Sequence, residues 1–414
     1  MTARVRPLFL VFVVSASFAT LVLLLAELGL RMTYPEKVLE IAEDRRRVQN
    51  LAYIPHPDYL VALAPNTERT FRRPAEDGGQ SVAWQTNSEG FRGGPLRDHP
   101  AVRIIVYGDS NIEAKFSRWE DTFTYRLEQH LAALSSIDIE VINAGIAGAG
   151  PDQSLIRFAA QFAKYKPDLV VFHVLADNDF GDIVRNRLFT LDSQNELART
   201  TFRPTIDDAF ESRLPRLLLA RAGHRLINLL TGTASAPLEA IRPPDVTLSV
   251  LAEVTEAENA IYRRGAPRAF SHFADHYDID ISLQPRGDSS QIKMALMEGV
   301  LRRAKEIATE KHTNFLVLIQ PSPVDLIKRR DVLSSFHLSR FPEYRPDRLS
   351  TIIDTICAEY GIDRVNLYPV FSRNNPDSLS FKKDVDHWND AGQDLAARVA
   401  AQHIHAADPT LGRR

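Results

Sequence analysis

The sequence predicts an α/β fold in which helices cover a parallel sheet on both faces. From residue 101 onward, short apolar runs alternate with segments whose apolar residues recur every three or four positions. The apolar runs are continuous rather than alternating, as in strands that are buried on both faces. Strands that alternate with amphipathic helices are typical of βαβ units and therefore of a parallel sheet.

Size and composition limit the classes of protein to which the chain can belong. The chain has 414 residues, of which 44% are hydrophobic and 25% charged, as expected for one large or two smaller globular domains. Its net charge of −3 is close to balance, so no nucleic-acid partner is predicted. The single cysteine, Cys357, excludes an intrachain disulfide framework. Cys357 falls in a helix-like segment and is expected to be a small buried apolar residue.

The amino-terminal segment predicts export. Phe9 to Ala26 carries no charge and, extended to Leu30, reaches the length of a membrane-spanning helix. Arg4 and Arg6 precede it and predict a cytoplasmic amino terminus. We therefore predict that residues 1–31 form a cytoplasmic stub and a single-pass anchor in a bacterial inner membrane. The rest of the chain would then lie in the periplasm. A cleaved signal peptide is the alternative, and it also implies export.

Residues 32–100 are predicted to be a membrane-proximal segment. Glu36 to Asn50 is highly charged, and such a charged run usually forms a solvent-exposed face. Pro55, Pro57 and Pro65 then break the pattern, and residues 87–92 are interpreted as a turn followed by an anchored aromatic residue.

Residues 101–407 are predicted to form the catalytic domain. Residues 185–285 carry scattered prolines and break the alternation of strands and helices. We interpret them as an insertion between strand units, with a lid or a carbohydrate-facing subdomain as its candidate roles. The predicted strands are 102–107, 137–142, 169–175, 315–319 and 365–367. The predicted helices are 121–134, one around 155–163, 291–310, 350–360 and a last one from Asp390 to His403 capped by Asn389.

Four short polar or glycine-rich motifs fall at strand ends or near the carboxyl terminus. They are Gly108-Asp109-Ser110-Asn111, Asn143 to Gly150, Ala176-Asp177-Asn178-Asp179, and Asp384-Val385-Asp386-His387-Trp388-Asn389. In open α/β sheets, ligands bind outside the carboxyl ends of the strands. The motifs are therefore expected to meet at one edge of the sheet.

Together these motifs contain what acyl transfer through a serine requires. Ser110 needs a base to remove its proton, and His387 is the candidate. Asp384, three residues earlier, could hold the imidazole in one tautomer. The developing oxyanion needs preorganised donors, and the backbone N–H groups of Ser110 and Gly148 with the side-chain amide of Asn178 would supply them.

Structural explanations stand beside this hypothesis. Gly-Asp-Ser is a common turn sequence, and Asn178 could simply cap a helix. The glycines at 145–150 could cradle a phosphate, although their spacing is not G-x-G-x-x-G and no lysine lies among them. Asp384, Asp386 and His387 could bind a metal, but no further His or Cys cluster supports this. His173, within an apolar strand, is expected to be a hydrogen-bonded core residue.

The four motifs, from about Asn87 to His403 without the insertion, resemble the blocks of the SGNH (GDSL-type) esterase and acyltransferase superfamily, in particular its membrane-anchored bacterial members. The resemblance implies a three-layer α/β/α sandwich with a flavodoxin-like sheet. It implies that Ser110 is the nucleophile, His387 the base, Asp384 its orienter, and Ser110, Gly148 and Asn178 the oxyanion hole. It implies no cofactor and no metal.

Three departures from the family pattern are present. Asn111 follows the serine where an apolar residue is usual, and Ala176 opens the third block where glycine is usual. Asp386 is a second carboxylate beside His387, but neighbouring side chains diverge, so Asp384 is preferred as the orienter. The α/β-hydrolase elbow is disfavoured, because it needs glycine at position 112, which is isoleucine.

The predicted function is a serine esterase that removes acyl groups, most simply acetyl, from an exported glycan or a small ester. The first alternative is an O-acetyltransferase of polysaccharide modification with the same triad, which would need an acyl-donor or polysaccharide-export partner. The second alternative is a catalytically silent glycan-binding or assembly protein. The expected partners are thus an acylated carbohydrate or small ester and, through the amino-terminal helix, the membrane.

Overall fold

The structure is a computed structural model that describes residues 5–33, 52–200, 278, 281–282, 288–326, 345–382 and 387–408. The chain divides into two compact units. One comprises residues 1–51 and 205–239, of which the amino-terminal helix is described. The other comprises residues 52–204 and 240–414 and contains the predicted motifs.

The helices and strands follow in chain order. They are α1 (Val5–Thr33), β1 (Tyr53–His56), β2 (Leu60–Leu63), β3 (Glu68–Arg72), β4 (Ser81–Gln85), β5 (Val102–Gly108), α2 (Ser110–Glu113), α3 (Phe123–Ser135), β6 (Ile139–Gly145), α4 (Pro151–Tyr165), β7 (Leu169–Ala176), α5 (Asp179–Asn186), β8 (Phe189–Leu191), β9 (Leu197–Arg199), α6 (Asp288–Glu310), β10 (Asn314–Pro321), α7 (Pro323–Leu326), α8 (Arg348–Glu359), β11 (Asp363–Asn366), α9 (Tyr368–Phe371) and α10 (Asp390–Ala407). Short 3₁₀ turns occupy Ala75–Asp77, Trp119–Asp121 and Pro376–Ser378.

A five-stranded parallel sheet organises the second unit. Its strand order is β11-β10-β7-β5-β6, and the paired strands run parallel. Numbered along the chain, the five strands lie in the order 2-1-3-4-5, which is the flavodoxin-like arrangement. The predicted α/β class with a parallel sheet is therefore confirmed.

Two apolar clusters show that the sheet is the middle layer of three. One cluster joins Ile105 and Tyr107 of β5 to α4, α6 and α8. The other joins Val102, Ile104 and Val106 of the same strand to α3 and α10. Alternate residues of β5 thus enter opposite cores, as the two-residue period of a strand requires.

The amino-terminal part of the second unit contains strands that the sequence analysis did not predict. Residues 52–100 contain two antiparallel hairpins, β1–β2 and β3–β4, and belong to the same compact unit as the sheet. The prolines suggested an irregular segment, but Pro55 lies within β1, a short two-stranded pair where proline is tolerated. In β4 the residues alternate between exposed and buried, a period-two signal that was available in the sequence.

Several predictions fall outside the described residues. These are the charged stretch at 36–50 and most of the insertion, of which β8, β9, Asp278, Ile281 and Ser282 are described. For α1, a search of the described residues finds no helix that is both long and apolar enough to cross a membrane. The predicted transmembrane anchor is therefore not supported, and the predicted location outside the cytoplasm stays a prediction.

Candidate active site

The predicted motifs lie at the carboxyl edge of the sheet, beside the point where the strand order reverses. β5 and β7 are neighbours there, whereas β6 lies on the other side of β5. Ser110 follows β5, the glycine-rich motif begins within β6, and Asn178 follows β7. Ligands of open α/β sheets bind at this kind of switch point.

Ser110 is the first residue of the short helix α2. Asp109 is the N-cap of that helix, and its carboxylate accepts the N–H of Asn111 at 2.8 Å. Ala114 ends the helix in the left-handed conformation, with φ of +49°. As the first helical residue, Ser110 has no intrahelical acceptor for its own N–H. The predicted oxyanion donor at this position is thus compatible with the local geometry.

His387 lies directly against Ser110. Its Nε2 atom is 2.7 Å from Ser110 Oγ, across 277 positions of the sequence. Both side chains are only partly buried, so the pair is accessible to a substrate. The distance is within the range at which a general base can accept the proton of a hydroxyl.

Asn111 links the loop of His387 to the turn of Ser110. Its side chain is 1% exposed, and its Oδ1 atom accepts the backbone N–H of Trp388 at 2.9 Å. Its carbonyl accepts from Gln393 Nε2 at 2.8 Å. The residue after Ser110 therefore fixes the residue after His387. The sequence shows that Asn111 departs from the family pattern. The spacing of the motif residues does not predict the hydrogen bonds that Asn111 makes.

The segment of the first hairpins also contacts the helix that follows His387. Arg73, in the loop after β3, donates both to Asp390, the first residue of α10, at 2.6 and 2.7 Å, and to the carbonyl of Phe116 at 2.6 Å. Asn389 caps α10 by accepting the N–H groups of Ala391 and Gly392, as predicted. The helix that follows His387 is consequently fixed at its amino terminus.

The glycine-rich motif packs against α2. A Cβ atom on Gly145 would lie 2.2 Å from the backbone nitrogen of Glu113, so only glycine fits at this contact. Gly148 has φ of +75° and is exposed, with open space where a side chain would be. The exposure of Gly148 is consistent with the donor that the sequence predicts.

The contact at Gly145 carries a stability prediction. Gly145→Ala is expected to lower the free energy of unfolding by about 3 kcal/mol, because two backbone segments must separate to admit one methyl group. Urea denaturation would measure the change. Gly94→Ala is the matched control, since a Cβ atom there meets nothing within 4 Å, and it should stay within about 0.5 kcal/mol of wild type. Equal unfolding midpoints for Gly145→Ala and wild type would contradict the close approach.

Asn178 occupies the N-cap position of α5, but its side chain makes no capping hydrogen bond. The simple capping explanation is therefore not supported. The same loop is anchored by its neighbours: Asp177 accepts from Ser322 Oγ at 2.5 Å and Gly181 N–H donates to Asp278 at 3.0 Å. Asp278 is fully buried and paired with Lys293 at 2.8 Å. The carboxyl-terminal end of the insertion thus braces the loop that carries Asn178.

Two buried carboxyl groups near the carboxyl edge of the sheet have raised pKa values. Burial, followed by the charge of Asp109, raises the pKa of Asp179 well above its usual range. Burial also raises the pKa of Asp152 to about 7. Both effects shift these two carboxyl groups towards the neutral acid.

Other predicted residues are placed as follows. Asp384 and Asp386 lie outside the described residues. His173 is buried, and its Nε2 atom hydrogen-bonds with Gln320 Oε1 at 2.8 Å, as expected for a core histidine. Cys357 is buried in α8, where burial raises the pKa of its thiol to about 12. Within the described ranges, no group of three or more His, Cys, Asp or Glu side chains could hold a metal ion.

Comparisons with known proteins give distant likenesses only. No protein-family model matches the chain, and a search of curated proteins finds no match. Among solved structures, an esterase from Pseudoalteromonas sp. is 13% identical with a TM-score of 0.36, over 74% of this chain and 97% of that one.

Two further structures are similar to the same extent. A catalytic mutant of an acetylxylan esterase from Geobacillus stearothermophilus is 12% identical, with a TM-score of 0.35, over 75% of this chain and 96% of that one. A lipase/acylhydrolase from Enterococcus faecalis is 13% identical, with a TM-score of 0.34, over 74% and 96%. At these values the likeness assigns neither a family nor an activity to this chain.

Proposed function

We propose that the protein is a serine esterase of the SGNH (GDSL) type that hydrolyses acyl esters through an acyl-serine intermediate. The observation that carries the proposal is the 2.7 Å contact between His387 Nε2 and Ser110 Oγ at the switch point of the sheet. A hydroxyl and an imidazole at hydrogen-bond distance form the minimal unit of nucleophilic catalysis by serine.

The reaction would proceed in two halves. Ser110 Oγ attacks the ester carbonyl carbon while His387 Nε2 takes the hydroxyl proton. The carbonyl oxygen becomes an oxyanion, for which the N–H groups of Ser110 and Gly148 and the amide of Asn178 are the proposed donors. The intermediate expels the alcohol, which receives the proton from His387. A water molecule, deprotonated by the same imidazole, then attacks the acyl-serine carbonyl. The second tetrahedral intermediate expels Ser110 Oγ, which takes the proton back from His387, and the acid is released.

The narrower hypothesis is that the acyl group is acetyl and that an exported glycan carries it. Partial exposure of Ser110 and His387 supports a substrate that approaches from the surface. The preference for acetyl and for a glycan rests on the sequence alone.

A covalent probe tests the proposal without knowledge of the natural substrate. The purified full chain should release p-nitrophenol from its acetyl ester and should be inactivated by an alkyl fluorophosphonate. Mass spectrometry of the digested protein should find one phosphonate, on the peptide that contains Ser110. A hydrolytically active protein whose label lies on a different residue would refute Ser110 as nucleophile, and neither hydrolysis nor labelling would refute the esterase.

A further inference from the structure

A buried carboxylate next to the site is not used in the chemistry described above. Glu113 is the last residue of α2, and its side chain is fully buried. Its Oε1 atom accepts from the hydroxyl of Tyr53 in β1 at 2.6 Å. Its Oε2 atom accepts from the backbone N–H of Ala147, in the glycine-rich motif, at 2.7 Å. One side chain thus joins the first hairpin, the nucleophile helix and the loop of Gly148.

The surroundings of Glu113 hold its side chain in a defined position. The pKa of Glu113 is raised, because burial outweighs the opposing hydrogen bonds from Tyr53 and Ala147 and the opposing charges of Lys115 and Arg92. The buried guanidinium of Arg92 donates to the carbonyls of Glu113, Ala114 and Ser117 at 2.5 to 2.9 Å. A buried acid that had no such partners would be costly to retain.

The contacts of Glu113 act on the backbone that leads into Gly148. The N–H of Ile146 donates to the carbonyl of Gly108 at 3.0 Å, and the N–H of Ala147 donates to Glu113. The N–H groups of Ile146 and Ala147 are therefore held by one residue that precedes Ser110 in the sequence and one that follows it. This arrangement restrains the backbone that leads into Gly148.

We propose that Glu113 is a positioning residue that holds the Gly148 donor in place for the oxyanion, and that Tyr53 in turn holds Glu113. The inference rests on the proposed esterase function and adds to it residues that touch neither substrate nor nucleophile. Through Tyr53, the first hairpin then contributes to catalysis.

Steady-state kinetics of full-length variants test the inference. Glu113→Ala should lower kcat for p-nitrophenyl acetate by about 10- to 100-fold, since the loss of a whole oxyanion donor costs about 10²- to 10³-fold. KM should change by less than about twofold, because the donor acts mainly in the transition state. The inhibition constant of an alkylboronic acid, which forms a tetrahedral adduct with serine, should rise by the same factor as kcat/KM falls.

Conservative variants separate positioning from a merely structural role. Glu113→Gln should retain kcat within about fivefold, because its amide oxygen can still accept from Ala147. Tyr53→Phe removes one hydroxyl and should lower kcat by about three- to tenfold at constant KM. Glu128→Ala is the matched control, since Glu128 accepts from the Val141 N–H and from Arg97 near the opposite end of β6, and its kcat should equal that of wild type.

The outcomes are distinguishable from failure of the proposed function. An inactive wild type would overturn the esterase and this inference with it. An active wild type with unchanged kcat in Glu113→Ala would overturn this inference alone. If Glu113→Ala does not fold, Tyr53→Phe decides, and wild-type kcat in that variant would overturn the proposed link.

Discussion

Replacing Ser110 with alanine is expected to reduce kcat/KM for p-nitrophenyl acetate by about 10³-fold or more. Loss of the nucleophile in a serine hydrolase removes the covalent route entirely, and the oxyanion donors alone leave a small residual rate. Ser110 Oγ contacts His387 Nε2, so the change also removes the hydroxyl that the base activates. Rates of ester hydrolysis measured at several enzyme concentrations would determine the residual activity.

The Ser110→Ala variant should fold as wild type does. Ser110 is partly exposed and lies at the start of a one-turn helix whose N-cap is Asp109. Its free energy of unfolding is expected to stay within about 0.5 kcal/mol of wild type. Ser135→Ala is the control, because that hydroxyl only donates to the Leu131 carbonyl of its own helix, and it should keep full activity. Retention of more than a tenth of wild-type activity in Ser110→Ala would eliminate Ser110 as nucleophile.

The parts of the fold that the sequence predicted are those that depend on local patterns. β5 and β7 are apolar runs that only Arg103 and His173 interrupt, and the observed strands exceed the predicted ones by only one residue each. The hairpins at 53–85 were missed because Pro55 and the charges of β3 obscured short strands whose stability comes from pairing and packing rather than from propensity.

The same distinction applies to the site. Ser110, Gly148 and Asn178 were placed at strand ends from the motifs, because parallel strands bring their carboxyl ends to one edge. The roles of Asn111, Glu113 and Arg73 were not predicted, since each depends on contacts with residues 34 to 317 positions away. No periodicity encodes such a contact, and a single buried polar residue in a motif is more often structural. The structure adds what the sequence does not show: the motif is exposed, and the polar residues next to it are buried.

Substitution of His387 by alanine is the second large expected effect, a loss of about 10³-fold in kcat/KM. Without the imidazole, the Ser110 hydroxyl keeps its proton and is a poor nucleophile. The nucleophile and the base act as one unit, so the Ser110→Ala/His387→Ala double variant should be no slower than the slower single variant. The measurement is the complete double-mutant cycle with p-nitrophenyl acetate.

Two features of the chain make the His387 result decisive. His403→Ala is a matched control, because the His403 imidazole also hydrogen-bonds, to Asp363 at 2.7 Å, but lies late in α10 with a partly exposed side chain. Its activity should equal that of wild type. Added imidazole should also restore part of the rate in His387→Ala, because the free base can enter the space beside Ser110, and should restore none in Ser110→Ala. Multiplicative losses in the double variant would mean that the two side chains act independently, and the 2.7 Å contact would then have no role in catalysis.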